Sequence, residues 1–202
     1  MMMYSISHLD RIANQGVRFT SGYASAYVCA PSRAGLLTGR YQQRFGFYSG
    51  GDSRIGLPLT EITIASHLKK HGYTTGVFGK WHLGLEKDYH PLNRGFDEFY
   101  GFLGHGAHDY FELKADDEHN GMWRNWDRID DQGYLTDNLG KEAASFIARR
   151  RCSARPPIFD LTSFHFLTGA CLARVPNSRE TEARHSASGV PGRFSPRGAS
   201  GG

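Results

Sequence analysis

Residues 58–82, PLTEITIASHLKKHGYTTGVFGKWH, decide how this 202-residue chain is read. Pro58 and Thr60 open a helix-like segment in which Ile62, Ala65 and Leu68 recur on one side, and Gly72 can close it. Tyr73 to Phe78 then turns β-rich and short, which predicts a buried strand. A helix feeding a buried strand is the unit of an α/β sheet, and the flanking sequence repeats the alternation. Upstream, His8 to Gln15 reads as a helix with Leu9 and Ile12 on one face. Ser7 and Asp10 cap it, and Gly16 ends it. Val17 to Tyr23 alternates like a strand, and a short helix follows Pro31, carrying Ala34, Leu36 and Leu37 as far as Gly39. Downstream, residues 84–133 are loop-rich and aromatic, with turns at His90–Asn93 and Asn120-Gly121. Leu139, Ala143, Phe146 and Ile147 then recur at helical spacing over roughly 134–149.

Composition bounds the class. The chain is 39% hydrophobic, 22% charged and 13% aromatic, which excludes a coiled coil, a collagen-like repeat and a wholly disordered chain. No run of eighteen apolar residues exists, so no membrane-spanning helix is expected. Three scattered cysteines do not make a disulfide framework. The formal net charge of +4 is unevenly spread. Residues 1–148 carry 15 basic and 17 acidic side chains, whereas residues 149–202 carry 9 arginines, 3 acids and no lysine. The expected division is therefore a folded segment over 4–150 and an Arg/Ser/Pro/Gly-rich tail over 151–202, disordered or read out of frame. A basic nucleic-acid arm is the alternative. It is disfavoured because the arginines beyond Arg149-Arg150-Arg151 are scattered, so no nucleic-acid partner is expected. Met1-Met2-Met3 leads directly into the first helix, and no charged segment followed by an apolar one marks a signal peptide.

The chemistry concentrates at Cys29-Ala30-Pro31-Ser32-Arg33 through Leu37-Thr38-Gly39-Arg40. A cysteine at a helix mouth, with Pro31 fixing the entry, meets free backbone N–H groups and the positive end of the helix dipole. Arg33, one turn in, offers a planar fork to a tetrahedral oxyanion. A cysteine-phosphatase loop would need arginine six residues after the cysteine, where Gly35 stands. No C-x-x-C pair supports zinc, and Cys152 and Cys171 lie in the tail. The plainer alternative is a structural cysteine beside a surface arginine.

CAPSRAGLLTGR resembles the first signature of the sulfatase family, and GYTTGVFGKWH over residues 72–82 resembles the second. The flanks LDRIANQGVRFT and RGFDEFYGFL agree, as does the helix YLTDNLGKEAASFI. The resemblance runs from about Ser7 to about Arg150. It implies a partial alkaline-phosphatase-like α/β sandwich with a mostly parallel central sheet, truncated at both ends. It also implies a sulfuric ester hydrolase acting on a sulfate-ester small molecule or glycan. Cys29, within the tag C-x-P-x-R, would be oxidised by a maturation enzyme to formylglycine, whose hydrate attacks sulfur with one hydroxyl and releases sulfate with the other. Arg33 would hold the modified residue, Lys80 would contact sulfate oxygens, and His82 would move the nucleophile's proton. In strand geometry Lys80 and His82, two residues apart, fall on one side.

His108 is a further substrate-binding candidate by resemblance, alongside His105, with Ala107 where the family has serine. His67 and His71, at i and i+4, are read as a solvated helix face. The family's calcium would count Cys29, as formylglycine, among its ligands. The other ligands, an early Asp-Asp pair and a later Asp-Asn pair, find no match, and Asp116-Asp117 and Asp130-Asp131 are read as loop acids. The expectation is thus a sulfatase fragment that is inactive as it stands. A phosphate or phosphonate monoester hydrolase of the same superfamily is the alternative reading, with a non-catalytic frame-disrupted fragment beside it. Family members are often periplasmic, secreted or lysosomal; the compartment of this chain is left open.

Overall fold

Thr74–Lys80 is the strand around which everything else is arranged, and its sequence explains why. Thr75 to Lys80 are all buried, so this strand is covered on both faces, as an interior strand of an α/β sheet must be. The computed structural model describes residues 7–104, 110–114, 121–151, 158–163 and 168–173. In chain order the elements are α1 (Ser7–Gln15), α2 (Cys29–Thr38), α3 (Ile64–Lys70), β1 (Thr74–Lys80), β2 (Glu98–Phe102) and β3 (Glu112–Leu113). They continue with β4 (Met122–Arg124), β5 (Asp127–Ile129), β6 (Asp131–Gln132), α4 (Leu135–Arg151), β7 (Ile158–Ser163) and β8 (Thr168–Ala173).

Six strands form one sheet in the order β5-β4-β2-β1-β7-β8, and β3 pairs with β6 separately. β1 is parallel to both β2 and β7, whereas β4, β5 and β8 join antiparallel. The sheet is therefore mixed, with a parallel centre and antiparallel flanks. The strand sides alternate into two cores. Val77, Phe99 and Trp81 pack with Ala30, Ala34 and Leu37 of α2 and Ala65 of α3. Phe78, Tyr100, Phe102 and Met122 pack with Leu135, Leu139, Ala143 and Phe146 of α4. Phe146 meets Phe78 with ring centroids 5.5 Å apart. Its full burial contributes on the order of 2–3 kcal/mol.

Several expectations hold with small shifts. The helix after Pro31 begins earlier, at Cys29, and ends where Gly39 takes a left-handed φ of 64°. The last helix runs two residues longer than predicted, to Arg151. The helix predicted from Pro58 begins only at Ile64, because Thr63 is the N-cap and its side chain accepts from the Ser66 amide. Ile62 consequently lies outside the helix and is exposed, contrary to its predicted place on the apolar face.

Two readings are corrected. Val17–Tyr23 forms no strand; Val17, Phe19 and Tyr23 are exposed, and no neighbouring strand among the described residues pairs with them. Ile12, placed on one face of α1 with Leu9, is exposed as well. Residues 84–133, read as loop-rich with no strand assigned, contain β2 to β6. Beyond the change in composition near residue 150, the backbone at Ile158–Ser163 still pairs with β1.

Candidate active site

The carboxyl end of β1 lies between two parallel neighbours, the kind of switch point where open α/β sheets bind ligands. Four sequence-predicted residues meet there. Cys29 is the first residue of α2 and is solvent-exposed. Its sulfur lies 3.2 Å from Nδ1 of His82. The same sulfur is hydrogen-bonded to the Lys80 side chain. Arg33, one turn into α2, donates from a terminal guanidinium nitrogen to the Lys80 carbonyl at 2.8 Å, which ties the helix to the strand end.

The burial contrast matters chemically. Arg33, Lys80 and His82 are only 6%, 4% and 5% exposed, while the sulfur they surround is open to solvent. Burial pushes the Arg33 guanidinium down to about 10, with the Cys29 sulfur partly opposing that shift, so Arg33 stays charged at neutral pH. Burial also lowers Lys80; Cys29 opposes this and the nearby Arg33 charge adds to it. The result is a water-poor cationic wall behind an accessible nucleophile position, suited to a tetrahedral oxyanion.

Strand alternation alone puts Lys80 and His82 on one side. The structure brings both to Cys29 by a different route. β1 ends at Lys80, and His82 has φ 59°, a left-handed conformation uncommon in a non-glycine residue. The turn is held on both sides. The Trp81 amide donates to the Phe102 carbonyl at 2.9 Å and the His82 amide to the Leu103 carbonyl at 3.0 Å, continuing the β1–β2 ladder past the strand end. The Trp81 indole donates to the Tyr89 carbonyl at 2.9 Å, and its ring packs edge-on against Phe96. Trp81 is a positioning residue that the sequence reading passed over. An aromatic between two polar site residues, pointing to the opposite face, was the available signal.

His105 and His108, like Ala107 and Asp116-Asp117, lie outside the described residues. Asp131, read as a loop acid, lies instead in β6, where it accepts from the Tyr100 hydroxyl at 2.7 Å and from the Asn138 amide group. The rings of His67 and His71 lie 4.9 Å apart on exposed positions. No group of three or more His, Cys, Asp or Glu that could hold a metal occurs among the described residues. Around Cys29 the neighbours are cationic, and calcium takes six to eight oxygen ligands, so the described residues do not fit that ion. No described helix is long and apolar enough to cross a membrane.

Comparison with known proteins identifies the family of the chain. A family model described as Sulfatase matches residues 3–158. The chain is 35% identical over 168 residues to the uncharacterized sulfatase YdeN of Escherichia coli, covering 72% of this chain and 29% of that one. It is 41% identical over 132 residues to arylsulfatase G of Rattus norvegicus, covering 60% of this chain and 25% of the relative. Among solved structures, Ps i-CgsB in complex with k-i-k-neocarrahexaose superposes with a TM-score of 0.60 at 32% identity. That match covers 69% of this chain and 35% of the other. The chain thus spans less than a third of the length of either curated relative.

Proposed function

Because the chain belongs to the sulfatase family, we propose that Cys29, Arg33, Lys80 and His82 form the sulfate-handling part of a sulfuric ester hydrolase site. The reaction adds water across the ester S–O bond and yields an alcohol and hydrogen sulfate. The observation that carries this reading is the exposed Cys29 sulfur, contacted by His82 and Lys80 and backed by buried Arg33.

Cys29-x-Pro31-x-Arg33 and the exposure of Cys29 fit conversion of that residue to formylglycine by a maturation enzyme. When present, the hydrated aldehyde supplies one hydroxyl for attack on sulfur and a second that allows sulfate to leave. Lys80 acts as a point charge on sulfate oxygens that gain charge during transfer. Arg33, held to the Lys80 carbonyl, keeps a second positive charge behind the nucleophile position. His82, with Nδ1 3.2 Å from the residue-29 side chain, is placed to take and return its proton.

The test uses the unmodified chain first. Inorganic sulfate should slow iodoacetamide alkylation of Cys29, and Lys80→Ala should abolish that protection. Co-expression with a formylglycine-generating enzyme should then convert the Cys29 peptide to the aldehyde mass, read by mass spectrometry. Alkylation indifferent to sulfate in both proteins would refute the reading. Faster turnover of an aryl phosphonate than of an aryl sulfate by the matured protein would move it to the phosphonate class.

A further inference from the structure

His67 and His71 belong to the other end of the site-bearing strand. His67 lies in α3, and His71 caps the helix, its amide donating to the Leu68 and Lys69 carbonyls. Gly72 and Tyr73 then lead into β1. The pair therefore sits at the amino end of β1, whereas Lys80 and the Cys29 sulfur meet at its carboxyl end, about 20 Å along the strand. Both histidines are exposed. Residues four apart share one helix face, and these two rings lie with centroids 4.9 Å apart and 55° between their planes.

That separation is the one a shared metal ion would set. Imidazole nitrogens bind zinc at about 2.0–2.1 Å, which puts each ring centroid about 3.2 Å from the ion. Ligand–metal–ligand angles of about 90–110° then place two centroids about 4.5–5.3 Å apart, a range that contains the observed 4.9 Å. Among the described residues no hydrogen bond or ion pair engages either ring, so both nitrogens can turn toward a common point. The neighbouring charges leave room for a cation. Lys69 points away and pairs with Asp97 at 2.5 Å, and Lys70 is exposed on the flank. Glu61 lines the same groove as His67, but both of its oxygens accept from Arg40. The protein thus supplies two imidazoles, and water or an exchangeable ligand fills the remaining positions. Imidazole suits copper, nickel and zinc, whereas calcium and magnesium take oxygen.

We propose that His67 and His71 form a two-histidine site for a divalent transition-metal ion, which clips the last turn of α3 ahead of β1. The rings converge only when α3 is helical, so the ion favours the folded chain. The test uses the full chain with Cys29 alkylated, which keeps its thiol from binding metal, and Cu²⁺ as the probe. Substoichiometric Cu²⁺ should broaden the NMR signals of both rings and of the amides over 64–72. Excess Zn²⁺ should reverse the broadening, and excess Ca²⁺ should not. His67→Ala and His71→Ala, at exposed positions that spare folding, should each weaken Cu²⁺ there by about tenfold or more. His67→Ala combined with Lys70→His keeps two histidines but sets them side by side, off a common face, and should not restore binding. Cu²⁺ should also raise the urea midpoint of the wild type more than that of His71→Ala. Broadening that spares 64–72, unchanged affinity in both alanine variants, or full binding by the adjacent pair overturns the site. An equal midpoint shift in wild type and His71→Ala overturns the clip.

Discussion

The close approach of β1 and β2 at Gly79 and Gly101 is the point where fold and site can be broken together. The two glycines are direct partners in the parallel ladder. A Cβ placed on Gly101 would lie 1.9 Å from the Gly79 carbonyl oxygen, 2.7 Å from its carbonyl carbon and 2.8 Å from its nitrogen. All three are backbone atoms, so no side-chain rotation relieves the clash. The strands must part by more than about 1 Å in a sheet whose spacing is about 4.8 Å, which sacrifices ladder bonds on both sides. Gly101→Ala is expected to cost about 3 kcal/mol or more, read as a lowered urea midpoint. The same movement displaces the Trp81 and His82 amide bonds to Phe102 and Leu103, so sulfate protection of Cys29 should vanish as well. Gly140→Ala is the control, because a Cβ there meets nothing within 4 Å in α4; it should stabilise by about 0.5–1 kcal/mol. A Gly101→Ala protein with wild-type stability and wild-type Cys29 protection would refute the argument.

Three further outcomes are expected. His90 is buried against Phe99 and Trp123 and stacked on Trp126 at 4.2 Å, and burial pushes it down to about 4. Between that value and the ordinary 6.5 the unfolded chain binds the extra proton, so stability should fall by about 2 kcal/mol as pH drops from 7 to 4. Thermal melts of wild type and His90→Phe check this, and only the wild type should show that component. Thr63→Ala removes the cap on the Ser66 amide and the 2.6 Å bond to the Arg94 carbonyl. It should lower the urea midpoint by an amount corresponding to about 1–2 kcal/mol. Arg40→Ala leaves buried Glu61 without the guanidinium at 2.6–2.7 Å; because Arg40 itself is half exposed, calorimetry should register a loss of about 1–2 kcal/mol.

Local chemistry explains what was legible in the sequence. Gly39, the Cys29–Pro31 entry and the apolar spacing of Leu139, Ala143 and Phe146 fix two helices through contacts within a few residues. β1 was readable because it is buried on both faces. β2, with sequence EFYGF, was not: its strand character depends on β1 and β4, which are distant in sequence. Val17–Tyr23 shows the converse, alternation without a partner strand among the described residues. At the site, residue types marked Cys29, Arg33, Lys80 and His82, but the left-handed turn that delivers His82 leaves no trace in a motif. It is set by hydrogen bonds to Phe102, Leu103 and Tyr89.

The place of β1 between β2 and β7 also has a kinetic consequence. One flank of the site-bearing strand closes over a short span, from residues 76–80 to 98–102; the other waits for residues 158–163. Closing that longer loop costs more chain entropy and raises contact order, so the second flank is expected to zip late. Until then β1, with Lys80 at its tip, is an open edge able to accept a foreign strand. The strand that carries Lys80 is thus unpaired on one side until residues 158–163 arrive.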